Sequence, residues 1–97
     1  MPAAGILRMI EKDIIITNKL GLHARAAAKL VQTANMHAAE VLIRKNGQEV
    51  NGKSIMGVMM LAASIGTEIQ LVTQGEDEQE TMNDLVALIE DRFGEGE

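Results

Sequence analysis

The sequence predicts an α+β fold of two layers, a mainly antiparallel sheet with helices covering one of its faces. Three observations predict it. The hydrophobic period alternates between strand-like and helix-like stretches in the order β-α-β-β-α-β-α. Each helical stretch carries a single apolar stripe, so each has one face to bury. The strands alternate in character and can leave a face in water, which suits antiparallel pairing with helices on the other side.

The elements follow in order. Residues 1–8 read as a loose N-terminal extension, and residues 9–94 as a single domain. Ile14-Ile15-Ile16-Thr17 is a β-branched run and reads as the first strand, ending in the turn-like Asn18-Lys19-Leu20-Gly21. Ala27, Leu30, Val31 and Ala34 then recur at helical spacing, with Arg25, Lys29 and Gln32 elsewhere on the wheel, predicting a helix from about residue 24 to Asn35. Glu40 to Lys45 is a second strand, with Val41 and Ile43 on one face. Asn46-Gly47 favours a type I′ hairpin, because both central residues need positive φ. Gln48 to Val50 returns as the third strand. Ser54 is a good N-cap for a short helix ending at Met60 or Leu61. Thr67 to Thr73 alternates as the fourth strand. Asp77 and Glu80 have the spacing of a capping box, and Met82, Leu85, Val86, Ile89 and Phe93 repeat at helical spacing after it. The tail, Gly94-Glu95-Gly96-Glu97 with residues 95–97 beyond the domain, is expected to fray.

Composition narrows the function classes. The 97 residues hold one core, built almost without aromatics because Phe93 is the only one. The absence of cysteine removes disulfides, thiolate catalysis and sulfur-ligated metals. A net charge of −5 argues against a nucleic-acid surface, which needs clustered Lys and Arg. The N-terminus lacks the basic and apolar regions of a signal peptide, and no run approaches the ~18 apolar residues of a membrane span. A cytoplasmic protein without membrane insertion is expected.

The chemistry concentrates at His23. It stands just before the first helical turn, where four backbone N–H groups need partners. Gly21-Leu22-His23-Ala24-Arg25-Ala26 offers none of the Ser, Thr, Asp or Asn side chains that usually cap such a start. The N–H groups of Ala24, Arg25 and Ala26, with the helix dipole behind them, form a candidate anion cradle. Arg25 adds a permanent guanidinium suited to phosphate oxygens. Imidazole is a nucleophile near neutral pH. Zinc explains His23 poorly, since only His37 could join it and no ligand-spaced partners exist; His37 itself reads as a loop residue. Spacing alone does not separate this site from an ordinary surface histidine.

Ile16-Thr17-Asn18-Lys19-Leu20-Gly21-Leu22-His23-Ala24-Arg25 resembles the active-site segment of the HPr family, the histidine-containing phosphocarriers of the bacterial phosphoenolpyruvate phosphotransferase system. A second block, Asn51-Gly52-Lys53-Ser54-Ile55-Met56-Gly57-Val58-Met59, resembles that family's regulatory serine region. The resemblance runs from about Ile14 to Phe93. It implies an open-faced sandwich, four antiparallel strands with three helices on one side. It also implies that enzyme I phosphorylates Nδ1 of His23, that Arg25 contacts the phosphoryl group, and that an enzyme IIA-type acceptor receives it. Such a carrier has a phosphohistidine intermediate but no turnover of its own, and needs no cofactor and no metal. A monomer is expected.

One position departs from the family pattern. Ala26 stands where the family usually has proline, restoring an N–H beside the phosphate site while loosening the unfolded chain.

Ser54 caps the second helix and, by resemblance, is the serine that HPr kinase/phosphorylase modifies in some bacteria. A phosphate there suits the helix N-terminus. It would also stand beside Ile55, Met56 and Met59, which resemble the family's docking surface, while Val58 and Leu61 are core candidates. A partner covering that patch would have to desolvate the new charge. The competing function is a regulatory docking module, in a nitrogen-related or carbon-regulation relay, that acts through this patch rather than in sugar uptake.

Overall fold

The computed structural model describes residues 9–97; the expected N-terminal extension, residues 1–8, lies outside the described residues. Strands β1 (Ile10–Ile15), β2 (Glu40–Lys45), β3 (Gln48–Asn51) and β4 (Glu68–Gln74) form one sheet in the order β1-β4-β2-β3. Every neighbouring pair is antiparallel, with Ile14 opposite Ile69 and Ile43 opposite both Leu71 and Val50. Helices α1 (Ala24–Asn35), α2 (Ile55–Met60) and α3 (Glu78–Glu90) complete the open-faced α+β sandwich. No helix among the described residues is long and apolar enough to cross a membrane.

The core lies between the layers. Alternation brings Ile14, Val41, Ile43, Ile69 and Leu71 to the covered face, against Ala27, Leu30, Val31 and Ala34 of α1 and Met82, Leu85 and Ile89 of α3. Val58 and Leu61 are buried beside them. On the opposite face Arg44 links the strands, donating to Glu49 at 2.7 Å and to Glu11 and Gln70 at 3.1 Å each. The β2–β3 hairpin turns through Asn46 at φ 47° and Gly47 at φ 83°, as the type I′ reading requires.

Four expectations need correction. β1 begins at Ile10 rather than Ile14 and ends at Ile15. Its polar Glu11-Lys12-Asp13 stretch hid an edge strand whose register on β4 runs from Ile10 opposite Thr73. Asp77 and Glu80 form no capping box. The Asp77 carboxylate instead accepts from the N–H groups of Ala38 and Ala39, at 2.9 and 2.8 Å, and leaves its own helix start without a side-chain cap. α3 stops at Glu90, so Phe93 is not helical; Arg92 and Phe93 both take positive φ, 54° and 55°. That conformation costs a non-glycine residue about 1–2 kcal/mol, offset here by complete burial of Phe93. Finally, the tail folds back onto the domain instead of projecting from it. The left-handed turn sends it back to the start of α1, where Glu97 accepts a 3.0 Å hydrogen bond from the N–H of Lys19.

Candidate functional site

Gly21 sets up the site. It adopts φ 68° and packs so closely on the α2–β4 connection that a Cβ would lie 2.5 Å from the carbonyl oxygen of Ala63. That approach lets the N–H of Leu22 donate to the same oxygen at 2.9 Å, pinning the entry to α1. His23 follows as the N-cap residue, with extended backbone (φ −75°, ψ 178°) and no hydrogen bond from its side chain to the helix. The first intrahelical bond is made by the N–H of Ala27, to the His23 carbonyl at 2.8 Å. The N–H groups of Ala24, Arg25 and Ala26 therefore have no backbone partner among the described residues.

The His23 ring is half-buried and its Nε2 lies 2.5 Å from Oε2 of Glu95. The other oxygen, Oε1, accepts from Nδ2 of Asn18 at 3.0 Å. Asn18 is completely buried, and its Nδ2 also donates to the carbonyl of Gly21 at 2.8 Å. Lys29, one turn into α1, donates to the Phe93 carbonyl at 2.6 Å and so anchors the returning tail. The amide of Asn18 holds the Glu95 carboxyl below the usual carboxylate range; the His23 ring and the charge of Lys29 add to this, and desolvation opposes it.

A shallow depression opens over the ring, edged by Lys19, Leu20, Arg25, Lys29, Glu95 and Glu97. Arg25 is exposed at its rim and makes no side-chain hydrogen bond among the described residues, so its guanidinium is available to a ligand. The structure thus brings His23, the three open N–H groups and Arg25 together, as their sequence proximity implies. Sequence reasoning missed Glu95 and gave Asn18 no role. Asn18 carried only a weak signal, an amide side chain in the turn-like stretch before the helix. Glu95 carried none, because its position depends on the left-handed turn at Arg92 and Phe93.

Ser54 and the methionine patch stand apart from this depression. Ser54 caps α2, its Oγ accepting from the N–H of Gly57 at 3.0 Å. Ile55, Met56 and Met59 are exposed on α2, which packs against α1. His37 sits in the α1–β2 connection as expected, with Nε2 2.8 Å from Asp84 and Nδ1 3.5 Å from Asp77, far in sequence and in contacts from the His23 group.

Comparison with known proteins places this geometry. A family model described as the PTS HPr component phosphorylation site matches residues 10–91. The phosphocarrier protein HPr of Cupriavidus necator is 58% identical over 89 residues, covering 92% of this chain and 100% of that protein. Among solved structures, HPr-C-His from Thermoanaerobacter tengcongensis superposes with a TM-score of 0.86 at 48% identity, over 89% of this chain and 97% of that one. An HPr dimer from the same organism gives a TM-score of 0.73 at 49% identity, over 84% and 94% of the two chains. Since that relative is described as a dimer, the similarity does not carry the expected monomer.

Proposed function

The chain belongs to the HPr family of phosphocarriers of the phosphotransferase system, and within it we propose that His23 accepts a phosphoryl group from phospho-enzyme I and passes it to an enzyme IIA-type acceptor. The observation that carries this reading is the uncapped start of α1. A half-buried imidazole stands at the head of three N–H groups without backbone partners, with Arg25 free at the rim. Those N–H groups and the helix dipole stabilise an anion placed at the ring, and the guanidinium supplies a further charge-assisted contact. Half-burial leaves the ring reachable by a partner protein, as a carrier needs.

Regulation at Ser54 belongs to the same proposal. Its hydroxyl is in a short helix cap beside the exposed Ile55, Met56 and Met59, the surface we assign to partner docking. A phosphate on Ser54 would place about −1.5 to −2 charges next to that apolar patch. The exposed patch equally favours a second reading, a docking module that acts by binding alone.

Incubation with phosphoenolpyruvate and enzyme I separates the two. The carrier reading expects an acid-labile phosphate that His23→Ala abolishes, and a much slower reaction for Ser54→Asp. No adduct with an enzyme I of verified activity would leave the docking module.

A further inference from the structure

We propose, on the phosphocarrier reading above, that Glu95 is a positioning residue that holds His23 in the tautomer protonated at Nε2, leaving the Nδ1 lone pair as the nucleophile. The geometry allows little else. Nδ2 of Asn18 has two hydrogens, and both are committed, to the Gly21 carbonyl and to Oε1 of Glu95. An ionised carboxylate only accepts hydrogen bonds, so Oε2 at 2.5 Å requires a proton on Nε2. A neutral imidazole has a single N–H, and Nδ1 is then unprotonated. Asn18 is fully buried, and Lys29 ties the tail at Phe93, so the carboxylate is held from two sides.

The consequence for transfer is direct. The Nδ1 lone pair forms a bond to phosphorus as the bond to the leaving group on phospho-enzyme I breaks, its electron pair staying with that group. The proton on Nε2 is not lost, and the ring gains positive charge. Glu95 faces that charge, as a buried aspartate does behind a catalytic histidine. The other charged groups around the depression are Lys19, Arg25, Lys29 and Glu97. Of these, none is within hydrogen-bond reach of the ring, so the tautomer is assigned to Glu95 alone among the described residues.

Replacing Glu95 by Gln gives an unusual expectation. Asn18 must still find an acceptor, so it takes the new amide oxygen and turns the NH2 group toward Nε2. That group donates, which favours the wrong tautomer, with the proton on Nδ1. Ring nitrogen NMR of the unphosphorylated protein at alkaline pH reads the tautomers without any transfer step. The wild-type protein should show the proton on Nε2, Glu95→Ala a mixture, and Glu95→Gln mainly Nδ1 protonation. Phosphorylation by enzyme I should slow in Glu95→Ala, which loses the carboxylate facing the new charge, and slow further in Glu95→Gln, in which the tautomer is wrong. A chain ending at Gly94 should behave like Glu95→Ala, covering the case in which one substitution disturbs the tail. Identical tautomers in all forms, or a Gln variant as fast as the wild type, would overturn the proposal. A wild-type protein that takes no phosphate while showing the expected tautomers would instead count against the carrier reading and remove the role in transfer.

Discussion

α1 and α2 begin in opposite ways. At α2 the chain satisfies its own helix start: Ser54 offers Oγ to the N–H of Gly57 at 3.0 Å. At α1 the capping position holds His23, whose ring turns away to Glu95, and three N–H groups are left without backbone partners. Both starts have the same unpaired donors and the same dipole. The difference is who supplies the acceptor. A helix start that lacks a cap loses about 1 kcal/mol, and the loss is tolerable where an incoming anion supplies what the cap would have given. α3 shows a third arrangement, in which Asp77 stands at the cap position but gives its carboxylate to Ala38 and Ala39.

The contrast can be broken from the α1 side first. Gly21→Ala forces a side chain into a φ of 68° and against the Ala63 carbonyl 2.5 Å away. It should lower stability by roughly 3 kcal/mol, read as a shift in the denaturant midpoint, and displace His23. Ser54→Ala should remove the cap of α2 and cost about 1 kcal/mol, with phosphoryl acceptance at His23 unchanged. A slowed reaction in that variant would mean that the two helix starts are not independent. Ala26→Pro sharpens the comparison. The N–H it removes has no backbone partner among the described residues, so the folded state loses no intrahelical bond. A rise of about 0.4–1 kcal/mol in stability is expected from the stiffer unfolded chain, with transfer surviving on the two remaining donors. The methyl of Ala26 is fully buried, and a destabilised variant would show that the ring does not fit there.

The smallest effect concerns α3. The N–H of Ala38 holds the Asp77 carboxyl below the usual range; the N–H groups of Ala39 and of Asp77 itself and the nearby His37 contribute, while desolvation opposes them. A carboxyl lowered in the folded state stabilises above its unfolded value and loses that contribution as pH falls through the folded one. Asp77→Asn should therefore lower stability modestly near neutrality, where that contribution is fully present, and flatten the acid limb, so that the two stability curves converge as pH falls.

The layers were legible in the sequence because burial imposes its period on them. Leu30 and Val31 on α1, and Val41 and Ile43 on β2, are buried as their spacing requires. Ser54 was legible because its partner, the N–H of Gly57, lies three residues away. Features set by distant partners were not. Asp77 has the spacing of a cap, yet its carboxylate bonds Ala38 and Ala39 across the fold, and no local pattern records that. β1 shows a polar face because Glu11 pairs with Arg44 on the open side of the sheet. Glu95 lies between two glycines and reads as a loose end; only the turn through Arg92 and Phe93 brings it to His23.

The central claim is that the open start of α1 is where the phosphoryl group rests. The backbone amide proton spectrum, recorded before and after phosphorylation by enzyme I, tests it most directly. The account predicts that the largest shifts fall on Ala24, Arg25 and Ala26, with the N–H of Gly57 at the capped start of α2 unmoved. Phosphorylation that leaves those three amides in place, or that shifts the α2 start instead, would contradict it.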